Sequence, residues 1–347
     1  MNKTRLALLL SFLIPVTFAH AGVDNKDSKE EFIIDTPSNL STQESTENYW
    51  TEERRYAAKP KSIVPLGNEV SKIKAETGLE SYIRNQKERT EQLVIEPSTG
   101  MDWDDSFPIL SSVKGVPETA DVSRYPFSNA GKIFFTDSKG DDYSCTAQFV
   151  GSNQVLMTAS HCLMEDNGKW YRNIEFYPRA GGNIVFEPLK IGCKGVPADA
   201  IMNGERNLGK DYGFATVYKK GIGSFGLKIH TADKSWTAIG YPVNYGHKGF
   251  FLQKVNGSKG KIFDFVDSQG NVISKVVQML NNPMHEGSSG GAWIAKLNAS
   301  RKGYGNYVVG LNSFYSTQDP PNIIYGPYFD KKVFELLNKV KNSCHIE

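Results

Sequence analysis

From about residue 120 onward, the apolar residues arrive in short runs with the texture of half-buried strands. AGKIFFT (130–136), TAQFV (146–150), QVLMTA (154–159), NIEFYP (173–178), YGFATVY (212–218), WTAIGYP (236–242), GFFLQKV (249–255), KVVQML (275–280), GAWIAKL (291–297) and NYVVGLNSF (306–314) follow one another. They are rich in β-branched and aromatic residues, and Gly, Asn, Asp or Pro separates them. Many short strands punctuated by turn residues predict an all-β sandwich or barrel. The chain closes on FDKKVFELLNKVKN (329–342), where Val333, Phe334, Leu336, Leu337 and Val340 recur at helical spacing. Upstream, SKIKAETGLESYIRNQKERTEQLVI (71–95) has helix-forming composition and predicts a short amphipathic helix. Residues 22 to about 60 are rich in Asp, Glu, Ser, Thr and Asn, and read as disordered or loosely ordered. No repeat of fixed period is visible.

The first residues add a compartment. MNKTR is a short cationic stretch, LALLLSFLIPVTF is apolar, and Ala19-His20-Ala21 is an A-x-A cleavage site. The pattern predicts a signal peptide over 1–21 and an exported, extracellular or periplasmic protein. The apolar stretch is too short for a membrane span, and no later segment approaches eighteen apolar residues. A net charge of +2 without a dense basic run argues against a nucleic-acid partner. The four cysteines, Cys145, Cys162, Cys193 and Cys344, allow three pairings in an oxidising compartment. None has the C-x-x-C spacing of a metal or redox site, so no metal is expected. No glycine-rich phosphate loop opens a helix after a strand, so no nucleotide cofactor is expected either.

The chemistry is concentrated in HEGSSGGAW (285–293). This stretch fits the G-x-S-x-G nucleophile elbow of an α/β-hydrolase, a G-x-S-G-G serine loop, or a plain Gly/Ser turn. The β-rich body and the strand-like GAWIAKL that follows oppose the elbow, which needs strands alternating with helices. A serine hydroxyl becomes a nucleophile when a base takes its proton and a third group orients that base. Downstream of Ser289 the only histidine is His345, near the terminus. Upstream, SCTAQFVGSNQVLMTASHCLM (144–164) offers His161, and LGKDYGFATVY (208–218) offers Asp211 ahead of an alternating strand.

These stretches carry a resemblance. T-A-S-H-C (158–162) resembles the T-A-A-H-C histidine motif of the chymotrypsin/trypsin-like serine proteases, and Asp211 with its strand resembles their D-x-A-hydrophobic motif. The order His, Asp, Ser is theirs as well. DVSRYPFSNAGKIFF (121–135) and WTAIGYP resemble the bacterial secreted branch, particularly the glutamyl endopeptidases. The resemblance covers about 113–342. It implies two six-stranded antiparallel β-barrels, about 116–225 and 226–330, a C-terminal helix at 331–342, and a pro-segment over 22–115. It implies a serine endopeptidase acting on polypeptides, monomeric by default, with His161, Asp211 and Ser289 catalytic. The N–H groups of Gly287 and Ser289 would form the oxyanion hole. It also implies a bridge from Cys145 to Cys162, worth about 3 kcal/mol in the chain-entropy model. Cys193 and Cys344 then pair with each other or both stay free. Pro283 would form the pocket base, and Asn312, Ser313, Phe314 and Tyr315 its wall, with His285 nearby. No Asp at 283 disfavours Arg or Lys side chains, and Asn312 stands where glutamyl endopeptidases carry a histidine. Ser288 replaces the Asp that receives a new N-terminus in trypsin-like zymogens. Processing is expected between about residues 100 and 123, with VKGVPET (113–119) the best candidate. An inactive binding protein on the same fold and a secreted esterase are the rival readings.

Overall fold

The computed structural model describes residues 30–37, 49–63, 72–98, 113–181, 186–298 and 305–344. The expected signal peptide and His345 lie outside the described residues.

The N-terminal segment contributes β1 (Phe32–Asp35), α1 (Glu52–Ala57), β2 (Lys59–Pro60), β3 (Ile73–Ala75), α2 (Gly78–Thr90) and β4 (Val94–Ile95). A short β5 (Glu118–Thr119) leads into the body. There follow β6 (Ala130–Thr136), β7 (Asp142–Phe149), β8 (Val155–Thr158), β9 (Arg172–Pro178), β10 (Leu189–Pro197), β11 (Ile201–Met202), β12 (Glu205–Arg206) and β13 (Gly213–Val217). The second half contains β14 (Gly226–Lys228), β15 (Ser235–Gly240), β16 (Gln253–Val266), β17 (Val272–Leu280), β18 (Ala292–Ala295), β19 (Tyr307–Leu311) and β20 (Ile323–Pro327). It ends in α3 (Lys331–Ser343).

The alternating runs become two barrels. Strands β10, β13, β8, β7, β6 and β9 pair in that order, and the β9–β10 pairing closes the ring. The second path runs β20-β17-β16-β15-β18-β19-β14-β4. It curls back on itself where the chain just after β19 meets β20: Ser313 N donates to Tyr325 O at 3.0 Å and Tyr325 N to Phe314 O at 2.8 Å. Closing both sheets leaves few ladder groups unpaired at an edge. Helix α3 starts at its cap Asp330, whose side chain accepts from Lys332 N at 2.9 Å. It buries the five apolar residues that the spacing singled out, and packs on β10 and β13. Two disulfides, Cys145–Cys162 and Cys193–Cys344, are formed, the second tying the end of α3 to β10.

The N-terminal segment departs from its composition. The described parts of the polar stretch are ordered: β1 pairs antiparallel with β10, and α1 is capped by Thr51. Trp50 is buried, its Nε1 donating to Asn173 O at 2.6 Å. Composition measures how little apolar surface a segment can bury alone; it is blind to a sheet edge that supplies backbone partners from elsewhere. The 71–95 stretch is a helix only over 78–90. Thr77 and Glu80 form a reciprocal capping box at its start, and strands β3 and β4 flank it, pairing with β16 and β14. The helix buries no residue. Charge holds it instead: Arg84 pairs with Glu88 and Glu76, and Tyr328 donates to Glu88.

Candidate active site

His161 sits in a single 3₁₀ turn (Ser160–Cys162) at the end of β8, pinned by the disulfide from Cys162 to Cys145 on β7. Asp211 ends the 3₁₀ turn Leu208–Lys210, two residues before β13, which pairs with β8. The shared ladder brings the two side chains together. His161 Nδ1 lies 2.7 Å from Asp211 Oδ2, and His161 N donates to Oδ1 at 2.9 Å. Ser160 Oγ donates to Oδ1 at 2.7 Å and Ser313 Oγ to Oδ2 at 2.5 Å. Arg206 lies 3.9 Å from Oδ1, donates to Ser160 Oγ at 3.0 Å and to Met164 O at 2.9 Å, and pairs with Asp166.

Asp211 has no exposed surface. Burial alone would raise its carboxyl, but the charge and hydrogen bond of His161 outweigh it. With Arg206 and the Ser313 hydroxyl, they hold the group well below the usual carboxylate range. An ionised carboxylate on Nδ1 fixes that nitrogen as the donor, leaving Nε2 as the basic face of the ring. Nε2 is buried and has no hydrogen-bond partner among the described residues. A buried polar atom without a partner is costly, so this ring nitrogen is the one group of the pair left with an unused hydrogen bond.

The loop of Ser289 lies between β17 and β18. Ser289 O accepts from Thr146 N at 2.9 Å, next to Cys145, and Gln148 Nε2 donates to Gly290 O at 3.0 Å. Gly290 has φ +81, and a Cβ there would lie 2.1 Å from Thr158 Oγ1 and 2.8 Å from Ala159 N. Only glycine lets the loop press so closely on the strand end that leads into His161. Ser289 thus follows a backbone held against both neighbours of the histidine turn. Gly287 N donates to Lys61 O at 3.4 Å, and Ser289 N donates to no acceptor among the described residues. The residues after Ser289 form strand β18, not the helix of a nucleophile elbow.

The expected pocket residues separate into two groups. Asn312 is buried, and its amide is fully committed. Nδ2 donates to Ile239 O at 3.0 Å and Ser288 O at 3.2 Å, while Oδ1 accepts from Trp293 Nε1 at 2.7 Å and Asn282 Nδ2 at 2.9 Å. It braces the serine loop and has no hydrogen bond left for a substrate. Ser313 spends its hydroxyl on Asp211, and Phe314 is buried, stacked on Tyr325 at 5.0 Å. By contrast His285 and Tyr315 stack at 4.5 Å and remain partly exposed. Tyr315 donates to Glu286 at 2.6 Å, and His285 Nε2 lies 2.9 Å from Pro321 O. The Pro283 carbonyl accepts from Asn244 at 2.8 Å. Sequence reasoning missed Ser160 and Arg206. Ser160 is the residue that departs from T-A-A-H-C, which was its one signal; Arg206 had none. Cys145, His161 and Cys162 approach within 4.8 Å, but the two sulfurs are bonded to each other and leave no thiolate to ligate a metal.

No family model and no curated protein matches the sequence. The fold does find relatives. The chain covers 65% of itself and 99% of the protease Anisep from Arthrobacter nicotinovorans, at 26% identity and a TM-score of 0.51. The chain has the chymotrypsin-like fold. Two looser likenesses are a thermostable serine protease, AL20, from an extremophilic microorganism and the HtrA-type protease AlgW. AL20 has 23% identity and TM-score 0.47, covering 62% of this chain and 98% of that one. AlgW has 15% and 0.43, covering 64% and 63%. Among the described residues, no helix is long and apolar enough to cross a membrane.

Proposed function

We propose that the protein is an exported serine endopeptidase, made with an N-terminal pro-segment that ends near residue 115. The reading is carried by the buried Asp211–His161 pair, whose unpartnered Nε2 belongs to the turn against which the Ser289 loop packs. Nε2 takes the Ser289 proton as Oγ attacks a peptide carbonyl, then gives it to the leaving amine. The same nitrogen next deprotonates a water, which releases the acyl group from Ser289. Asp211 holds the imidazole in the required tautomer and stabilises the imidazolium. The N–H groups of Gly287 and Ser289 bind the negative oxygen of the intermediate. Two disulfides and a signal-like N-terminus favour an oxidising compartment.

Within this class we place the protein nearest the glutamyl endopeptidases, on the resemblance of 121–135 and 236–242. Because Asn312 is spent inside the protein, His285 beside Tyr315 is the histidine left to meet an acidic side chain, through Nδ1, since its Nε2 donates to Pro321 O. A peptide library is expected to yield cuts after Glu before any other residue; cuts after Lys or Arg would remove that placement. The activity itself is tested by treating purified protein with a fluorophosphonate and mapping the adduct by mass spectrometry. One adduct on Ser289, absent from Ser289→Ala, is the expected outcome. A processed protein that takes no label would instead be a binding descendant of a protease.

A further inference from the structure

We propose that residues 59–63 of the N-terminal segment are a built-in occupant of the substrate cleft, which they hold shut; the inference rests on the activity proposed above. Strand β2 pairs in parallel with β7, Lys59 opposite Tyr143 and Pro60 opposite Ser144, and Lys61 N donates to Ser144 O at 2.9 Å. The chain then crosses to the second barrel. Gly287 N, one of the two oxyanion donors, is aimed at the Lys61 carbonyl at 3.4 Å, and Pro60 Cβ lies 3.4 Å from where a Gly287 side chain would begin. Two residues on, Ile63 bridges Phe314, again in parallel, and packs in the cluster of Phe314 and Tyr325. The Lys61 ammonium lies 4.7 Å from the Tyr143 ring centre and 5.7 Å from that of Tyr171.

His161 and Ser289 are 1% and 3% exposed, although a peptidase must admit a polypeptide to both. The occupant is fixed on its upstream side by a separate anchor. Trp50 is buried against Phe134, Tyr49 donates to Asp142 at 2.9 Å, and Arg54 pairs with Asp142 at 2.7 Å. Downstream, β3 is paired with β16. A strand tied on both sides competes with free substrate at an effective concentration in the millimolar range, without needing high intrinsic affinity. Cleavage at 113–119 alone would leave these pairings in place, so release of 59–63 is a separate step in activation.

The test compares the full chain with Trp50→Ala, which loosens the anchor, and Ile63→Asp, which breaks the occupant's packing on Phe314 and Tyr325. Each is treated with a fluorophosphonate, and exchange of the Lys61 amide is followed by mass spectrometry. Slow labelling and a protected Lys61 amide are expected in the parent. In the variants, labelling should be roughly tenfold faster or more and protection lost. A synthetic 49–63 peptide should slow them again. Fast exchange at Lys61 in the parent would overturn the proposal, as would equal labelling of parent and variants once exchange shows the segment released. A Lys61–Ser62 bond found cut in the purified protein would overturn it too, making the segment a substrate. If exchange behaves as expected and no form takes label, occupancy stands and the serine-hydrolase reading falls, and the inhibition with it.

Discussion

Replacing Asp211 by Asn separates the electrostatic role of this residue from its place in the fold. The carboxylate accepts four hydrogen bonds, from Ser160, Ser313 and two groups of His161. An amide of the same shape has one oxygen to offer. If that oxygen stays at the Oδ1 position with Ser160 and His161 N, the NH₂ group faces His161 Nδ1 and Ser313. Nδ1 must then accept, which puts the ring proton on Nε2, where a base is needed. By the magnitude seen in serine proteases, the wrong tautomer lowers turnover on the order of 10⁴-fold. That is about 5.5 kcal/mol in the barrier. Stability should fall less, by about 1–3 kcal/mol, because only charge-assisted bonds in one network are exchanged for neutral ones. Turnover of a peptide substrate, measured in the Ile63→Asp background so that the cleft is open, gives the first number. Urea unfolding gives the second. Turnover within tenfold of the parent would refute the orienting role of Asp211, and a rate loss matched by unfolding would show the residue to be merely structural.

Other perturbations reach different layers. Cys193→Ala with Cys344→Ala opens a closure of 151 residues, and chain entropy predicts a loss of about 5 kcal/mol; an unfolding free energy changed by less than about 1 kcal/mol would contradict it. Gly290→Ala puts a Cβ 2.1 Å from Thr158 Oγ1 at φ +81. It should cut fluorophosphonate labelling about 10²-fold or more by displacing Ser289, and unchanged labelling would refute that placement. Lys132 sits over the Phe134 and Tyr241 rings, and burial lowers its pKa to about 8. Between that value and the ordinary one the unfolded chain binds more protons, so stability should rise as pH climbs from 8 toward 10. Lys132→Met should remove this rise, on the order of 2 kcal/mol after screening by nearby solvent; identical pH profiles for the two proteins would count against it.

How legible the site was depended on whether its signal was local. His161 and Ser289 stand in short motifs because each needs a tight backbone turn, and turns are written in neighbouring residues. Asp211 was legible through its strand. Ser160 and Arg206 complete the carboxylate's surroundings, yet Arg206 reaches Ser160 across 46 positions of sequence. The hydrogen bonds of Asn312, expected in the pocket wall, were illegible for a similar reason. Its motif fixed where its backbone runs, but the side-chain direction follows from Trp293, Asn282 and the carbonyls of Ile239 and Ser288.

The residue pattern by itself determined the strand-rich body, the closing helix and the order of histidine, aspartate and serine, because alternation, helical spacing and turn residues act over a few positions. The tertiary structure alone decided the course of the N-terminal segment. The polar composition of 22–60 carries no core-forming signal and 71–95 reads as a helix, whereas β1, β2, β3 and β4 form because edges of other strands supply their hydrogen bonds. That Lys61 meets Gly287 is a contact between residues 226 positions apart, set by how two barrels face each other and by nothing that either residue's neighbours encode.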